Sequence, residues 1–179
     1  MYLRVTAAVL IAAGILRGVG SFVPSTTSPA AAVQLLYLLT DICILFGFIG
    51  WFAAIHQAVG AWGFVAFVLG VLGILLIRSS AAFPNVALYP LGALMLEVGL
   101  IALALTAWKT RRLPAWVPSL LLLSVIAGIA SFALSDESWL LPVSGVLFAI
   151  GIAGIGLSLR PLRRSHVQTS RDQRVSEAQ

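Results

Sequence analysis

The stretch that decides the fold runs from Ala31 to Ile77 and reads AAVQLLYLLTDICILFGFIGWFAAIHQAVGAWGFVAFVLGVLGILLI. A helix that crosses the ~30 Å hydrocarbon core of a bilayer needs about 20 apolar residues, so this stretch is long enough for two crossings. The polar pair His56 and Gln57 lies near its middle. The pattern therefore predicts a helix over 31–55, a short link over 56–59 and an antiparallel helix over 60–77.

The composition of the whole chain also indicates a membrane protein. Of its 179 residues, 60% are apolar and 9% are charged, whereas soluble domains have roughly 45–50% and about 25%. The mean hydropathy is +1.05. We expect an all-α protein embedded in a bilayer.

Four further apolar runs complete a predicted six-helix transmembrane bundle. The spans of the predicted transmembrane domain, 1–159, are 2–23, 31–55, 60–77, 86–108, 117–134 and 139–159. The basic tail, 160–179, contains few apolar residues and is predicted to be disordered. An alternative for the first run is a signal peptide cleaved after the small residues Ala30 to Ala32. The retained helix is favoured because Arg17 and a long spacer separate those alanines from the apolar stretch.

The positions of the basic residues predict the orientation of the bundle. With six alternating spans, the side that holds both termini receives nine of the eleven Lys and Arg, and the other side receives Arg17 and Arg78. Basic residues concentrate on the cytoplasmic side of membranes. Both termini are therefore predicted to be cytoplasmic, in the cell membrane.

The net charge of +5 has its predicted partner in the bilayer, and no nucleic acid partner is expected. Arg160, Arg163 and Arg164 begin the tail and are candidates for binding anionic lipid headgroups, at ~1 kcal/mol per basic residue. The alternative is that they only fix the topology. A membrane-protein partner or a second copy of the chain remains open.

Small residues predict how the second and third helices pack, because they let helix backbones approach closely in lipid. Each helix carries them on one face, at spacings of three and four residues. We expect these two faces to contact each other. They comprise Thr40, Cys43, Gly47, Gly50 and Ala54 on one helix and Gly63, Ala66, Gly70 and Gly73 on the other.

Familiar catalytic, metal and cofactor chemistry finds no residue set in the sequence. The chain has two histidines, His56 and His166, neither inside a predicted span, and one cysteine, Cys43. No pair of histidines can ligate a haem, and no Cys/His cluster has the spacing of a metal site. We therefore predict no catalytic residues, no cofactor and no enzymatic activity.

Two acids in the middle of predicted helices form the candidate site. Asp41 and Glu97 lie roughly 15 to 17 Å from the outer helix ends at 1.5 Å per residue, where an ionised acid costs about 2.5–3.5 kcal/mol. Arg17 is the predicted counter-ion, unless its side chain extends outward. One hypothesis is a proton- or cation-coupled site lined by Tyr37, Thr40 and Tyr89; the other is a buried pair that fixes helix register.

Two resemblances bear on function. The run from Leu45 to Phe64, followed by Leu69-Gly-Val-Leu-Gly73, resembles a segment common in small uncharacterised multi-pass membrane proteins of bacteria; it covers about 30 residues and implies no activity. The Ala8 to Ala12 face of the first helix is similar to that of substrate-binding subunits of energy-coupling vitamin transporters.

The sequence thus favours a non-enzymatic multi-pass membrane protein with a structural or accessory role. The alternative is a small proton- or cation-coupled transporter, or a transporter's substrate-binding subunit, that uses Asp41 and Glu97.

Overall fold

The computed structural model describes residues 2–23, 31–80, 83, 88–134 and 139–159, and these residues contain five α-helices. The predicted tail, with Arg160, Arg163 and Arg164, lies outside the described residues. The helices are α1 (Tyr2–Gly20), α2 (Ala31–Ser79), α3 (Leu88–Lys109), α4 (Trp116–Ala133) and α5 (Leu140–Ser158).

The prediction of six separate helices is wrong, because α2 is one helical element of 49 residues. The predicted link over 56–59 is helical, and the helical dihedrals are interrupted at Gly60 (φ 60°, ψ −155°) instead. That backbone conformation is accessible essentially only to glycine. The break divides α2 into a first arm, 31–59, and a second arm, 61–79.

The two arms fold back on each other as a helical hairpin. A straight helix of this length would extend about 74 Å, yet the Phe52 and Phe67 rings stack with centroids 4.3 Å apart. Phe48 also packs against Phe67, at 5.3 Å. The predicted antiparallel contact between these segments is therefore present. The chain reverses at a single glycine, Gly60, and not over the predicted four-residue link.

α1 and α3 pack directly against this hairpin, and α4 and α5 complete the bundle. α1 packs against α2 and α5, α5 also packs against α4, and α3 packs against α2 and more loosely against α4. Contacts such as Thr6 with Gly50 and Leu10 with Gly47 show that α1 is antiparallel to the first arm. One end of the bundle, the Gly60 end, therefore holds Tyr2, Gly60 and the α3–α4 turn; the opposite end, the Arg78 end, holds Gly20 and Ser79.

The glycines of the two arms pack against larger side chains and flanking helices and not against each other, which corrects part of the packing prediction. In the first arm, Gly47 and Gly50 lie against Leu10 and Thr6 of α1. In the second arm, Gly73 lies against the α3 backbone at Leu96. Gly70 also lies against the first arm, where a Cβ would meet the Phe48 ring at 2.6 Å. The small residues of the second arm therefore serve both the hairpin and the contact with α3.

The surface of the bundle is apolar. Four of the described helices are long and apolar enough to cross a membrane: α1, α2, α3 and α5. Large hydrophobic side chains are exposed along all five helices, among them Ile15, Phe46, Val98, Ile126 and Ile150. A surface of this kind suits contact with lipid, which indicates a membrane protein.

Candidate functional site

Asp41 is held by a partner that the sequence analysis missed. Its carboxylate forms an ion pair with the guanidinium of Arg78 on the second arm. The same guanidinium donates a hydrogen bond to the Tyr37 carbonyl at 2.8 Å. We call these three residues the hairpin clamp, because they tie the first arm to the end of the second.

The predicted counter-ion for Asp41, Arg17, was therefore wrong for this acid. Depths measured from the helix ends do not show which residues of the two arms lie at the same level. Asp41 lies 19 residues before Gly60 and Arg78 lies 18 residues after it. In an antiparallel hairpin, residues equidistant from the turn lie at the same level. That near-symmetry was the signal in the sequence that could have identified Arg78.

The clamp is only partly buried. The Arg78 side chain is 39% exposed and that of Asp41 is 22% exposed. The pair joins the two arms near the Arg78 end of the bundle. The charges of Arg78 and Asp41 neutralise each other, so neither side chain is available as an isolated charge.

Tyr37 and Thr40 have structural partners of their own. The Tyr37 hydroxyl donates to the Gly20 carbonyl of α1 at 3.4 Å. The buried Thr40 hydroxyl donates to the Leu36 carbonyl of its own helix at 2.7 Å. Tyr37 thus connects the clamp to α1, while the hydroxyl of Thr40 is already engaged.

Tyr89 lies apart from the other candidates. It is in the first turn of α3 and its side chain is 54% exposed. Within the described part of the chain, no hydrogen bond joins the Tyr89 hydroxyl to Asp41 or Glu97. The structure therefore does not bring it into a common site with the acids.

Glu97 and Arg17 form a second, looser arrangement. Glu97 is half-buried in the middle of α3, and Arg17 of α1 is close enough for the two charges to attract each other. The Arg17 guanidinium also lies over the Phe148 ring of α5, 6.0 Å from its centroid, at the outer limit for a cation–π contact. Arg17 thus lies near an aromatic face, and its charge attracts the Glu97 carboxylate without an ion pair between the two among the described residues.

The two predicted acids consequently occupy separate surroundings. Asp41 faces Arg78 within the hairpin, whereas Glu97 experiences the charge of Arg17. Among the described residues, no group of three or more His, Cys, Asp or Glu is placed to hold a metal ion. Cys43, the free thiol of the first arm, is partly buried and packs against the hydrophobic core.

A basic cleft at the Gly60 end was not predicted from the sequence. Its volume is about 560 Å³. The run Lys109 to Arg112 predicted only the orientation of the bundle. A Trp close to two arginines was the signal in the sequence for an interfacial site. The cleft is lined by Trp108, Arg111, Arg112, Leu113, Pro114, Ala115 and Ser158.

The α3–α4 turn that forms this cleft has a defined backbone. The Arg111 amide donates to the Trp108 carbonyl at 2.8 Å and the Arg112 amide donates to the Ala107 carbonyl at 2.9 Å. These are the two bonds of a Schellman motif. Arg111 occupies its left-handed position, with φ 57°, where glycine is the usual residue.

Neither family models, nor curated proteins, nor solved structures give a match to this chain. The function is therefore inferred from the geometry of the two acids and of the basic cleft.

Proposed function

We propose that the chain is a multi-pass protein of a bacterial cell membrane with a structural or accessory role and no catalytic activity. The observation that carries this proposal is the hairpin clamp: Asp41 is neutralised by Arg78. An acid held in this way joins two helical arms. It is a poor binding group for a transported ion, since an incoming cation would have to displace the guanidinium.

The proposed topology has six crossings, with both termini in the cytoplasm. Each arm of α2 makes one crossing: the arms extend about 43 Å and about 28 Å at 1.5 Å per residue. The Gly60 end carries Arg4, Lys109, Arg111 and Arg112, which favours a cytoplasmic position for this end. Arg160, Arg163 and Arg164 would then lie at the inner leaflet, where they would attract anionic lipids.

The accessory role predicts that the chain is isolated together with a second component. The full chain would be extracted from its native membrane in a mild detergent and its mass measured by native mass spectrometry. We expect a stoichiometric complex with a membrane protein or with a second copy of the chain. Isolation of the single chain alone, from several mild detergents, would contradict the proposal.

Ion-coupled transport is the second candidate, and one observation favours it. Glu97 is a half-buried acid in the middle of α3, with the charge of Arg17 nearby. Reconstituted vesicles with a pH-sensitive dye would report proton movement. Transport would be supported by a flux that an uncoupler collapses, that Glu97→Gln abolishes and that Asp41→Asn leaves unchanged. We expect no such flux.

A further inference from the structure

We propose that the cleft at the α3–α4 turn binds the anionic headgroup of a membrane phospholipid. This inference rests on the proposed topology, which puts the Gly60 end at a membrane surface. It adds a defined site within the described residues to the general attraction expected of the tail.

The charge of the cleft suits a phosphate. The two arginines in its lining, Arg111 and Arg112, are both exposed, and none of the described residues that line the cleft is acidic. Guanidinium groups present several donors in a plane and bind phosphate oxygens in pairs. Two of them on adjacent residues can hold one headgroup from two directions.

The start of α4 adds a second favourable element. Pro114 and Ala115 line the cleft directly before the helix begins at Trp116. The N-cap residue, Ala115, makes no side-chain capping hydrogen bond. The Val117 amide already donates to the Pro114 carbonyl at 3.2 Å and Pro118 has no N–H, so the start of α4 acts on an anion mainly through the partial positive charge of the helix end. An anion in the cleft would therefore be attracted by the helix end as well as by the arginines.

The backbone at Arg111 favours a functional reason for the arginine. A left-handed conformation costs a non-glycine residue about 1–2 kcal/mol, and glycine at this position would form the same turn without that cost. Arg111 keeps a charged side chain at the lining of the cleft despite the strain. A strained residue at a charged cleft is the arrangement expected of a binding site.

The surroundings favour a phospholipid over a soluble anion. Trp108 and Trp116 are both 45% exposed at this end of the bundle, as expected for residues at the boundary between headgroups and acyl chains. Beyond the cleft, α3 and α4 expose apolar side chains such as Leu105, Leu122 and Ile126. Because α3 and α4 also pack loosely against each other, acyl chains have apolar surface to lie on.

The test compares lipid affinities of the full chain after removal of bound lipid in detergent. Phosphatidylglycerol and phosphatidylcholine with identical acyl chains would be titrated and followed by native mass spectrometry. The double variant Arg111→Gln with Arg112→Gln removes the cleft charges. The matched control, Arg4→Gln with Lys109→Gln, removes two basic charges from the same end but outside the cleft lining. Inorganic phosphate would be titrated separately.

We expect the unaltered protein to bind phosphatidylglycerol more tightly than phosphatidylcholine. In the cleft variant the affinity for phosphatidylglycerol should fall about thirty-fold, while the affinity for phosphatidylcholine stays unchanged. The control variant should keep the preference. The proposal is overturned if the cleft variant binds phosphatidylglycerol as before, if the control loses as much as the cleft variant, or if inorganic phosphate alone binds the protein as tightly as phosphatidylglycerol. Headgroup preference in detergent does not depend on sidedness, so its failure is distinguishable from a failure of the proposed topology.

Discussion

Arg78 and Asp41 are 37 residues apart in the chain and form an ion pair across the α2 hairpin. The pair exists because Gly60 reverses the helix nearly midway between them. Its contribution to stability can be measured by a double-mutant cycle with Asp41→Asn, Arg78→Gln and the double variant. We expect each single variant to lower the thermal unfolding midpoint in detergent, and the double variant to be less destabilised than the sum, with a coupling of about 1 kcal/mol.

That cycle also separates the two hypotheses for Asp41. Additive effects of the two substitutions would show that the side chains act independently, which is incompatible with a clamp. Tyr37→Phe is a useful companion, because it removes the hydroxyl that bonds Gly20 but keeps the carbonyl that accepts from Arg78. We expect it to be milder than either charge substitution.

The second prediction concerns the contact between the second arm and α3. A Cβ at Gly99 would lie 2.5 Å from the Gly70 amide nitrogen and 2.6 Å from the Ala66 carbonyl. Because these are backbone atoms, the helices would have to separate. We expect Gly99→Ala to destabilise the protein by about 1–3 kcal/mol, measured as loss of folded protein during heating in detergent.

Gly18→Ala provides the matched control for that substitution. Its Cβ would lie 3.7 Å from the Ala149 side chain, an ordinary contact. Alanine is also the better helix former by about 0.5–1 kcal/mol. A stable Gly18→Ala with a weakened Gly99→Ala would assign the effect to packing. Equal behaviour of the two variants would contradict the close approach of the second arm and α3.

The third prediction tests the hairpin directly by chemical cross-linking. With Cys43 replaced by Ser, cysteines at Phe52 and Phe67 should be joined by a short thiol-reactive cross-linker, because the two side chains meet, with rings stacked at 4.3 Å. A cysteine at Val65, which is 56% exposed, replaces the one at Phe67 in the control and should not cross-link with position 52. Gel mobility after proteolysis between the arms reports the bond. Equal cross-linking in both pairs would contradict a fixed hairpin.

The fourth prediction concerns topology. Reporter fusions after Gln179 and near His56 should both indicate the cytoplasm, since the basic residues at that end favour the inner side. A fusion within 24–29 should indicate the outside. An outside signal at Gln179 would reject the proposed orientation, and cleavage near Ala32 would support the signal-peptide alternative.

The fifth prediction separates stability from binding at Arg111. Arg111→Gly should relieve left-handed strain of about 1 kcal/mol and leave thermal stability equal or higher, while weakening phosphatidylglycerol binding. Lys109→Gly, at the last residue of α3, should instead lower stability and keep lipid binding. A loss of stability in Arg111→Gly would show that the arginine side chain supports the fold itself.

The sequence was sufficient to locate the helical segments but not to identify which residues contact each other between them. Apolar runs located all the helical segments because length and hydropathy are local properties. The reversal at Gly60 was placed too early, since helical hydrogen bonding continues past the polar pair His56 and Gln57. Helix ends also moved: the first helix ends at Gly20 rather than at 23.

The candidate site could be predicted only in part for the same reason. Mid-helix acids stand out in an apolar sequence, so Asp41 and Glu97 were found. Their partners depend on which helices are neighbours and at what register. The basic cleft requires the α3–α4 turn and Ser158 of α5 to come together, and no local pattern contains that information.

The hairpin at Gly60 has a consequence for how the chain enters its membrane. Each arm alone would carry an unpaired charge, Asp41 within the first arm and Arg78 near the end of the second, and an unpaired charge is costly to place in the hydrocarbon core. If both arms leave the ribosome before either is released to lipid, the charges can cross as a neutral pair. Biogenesis would then treat 31–79 as one unit with a single insertion event. A force profile along the nascent chain should accordingly show one joint pulling step for the two arms, whereas two independent steps would show that the pair forms after insertion.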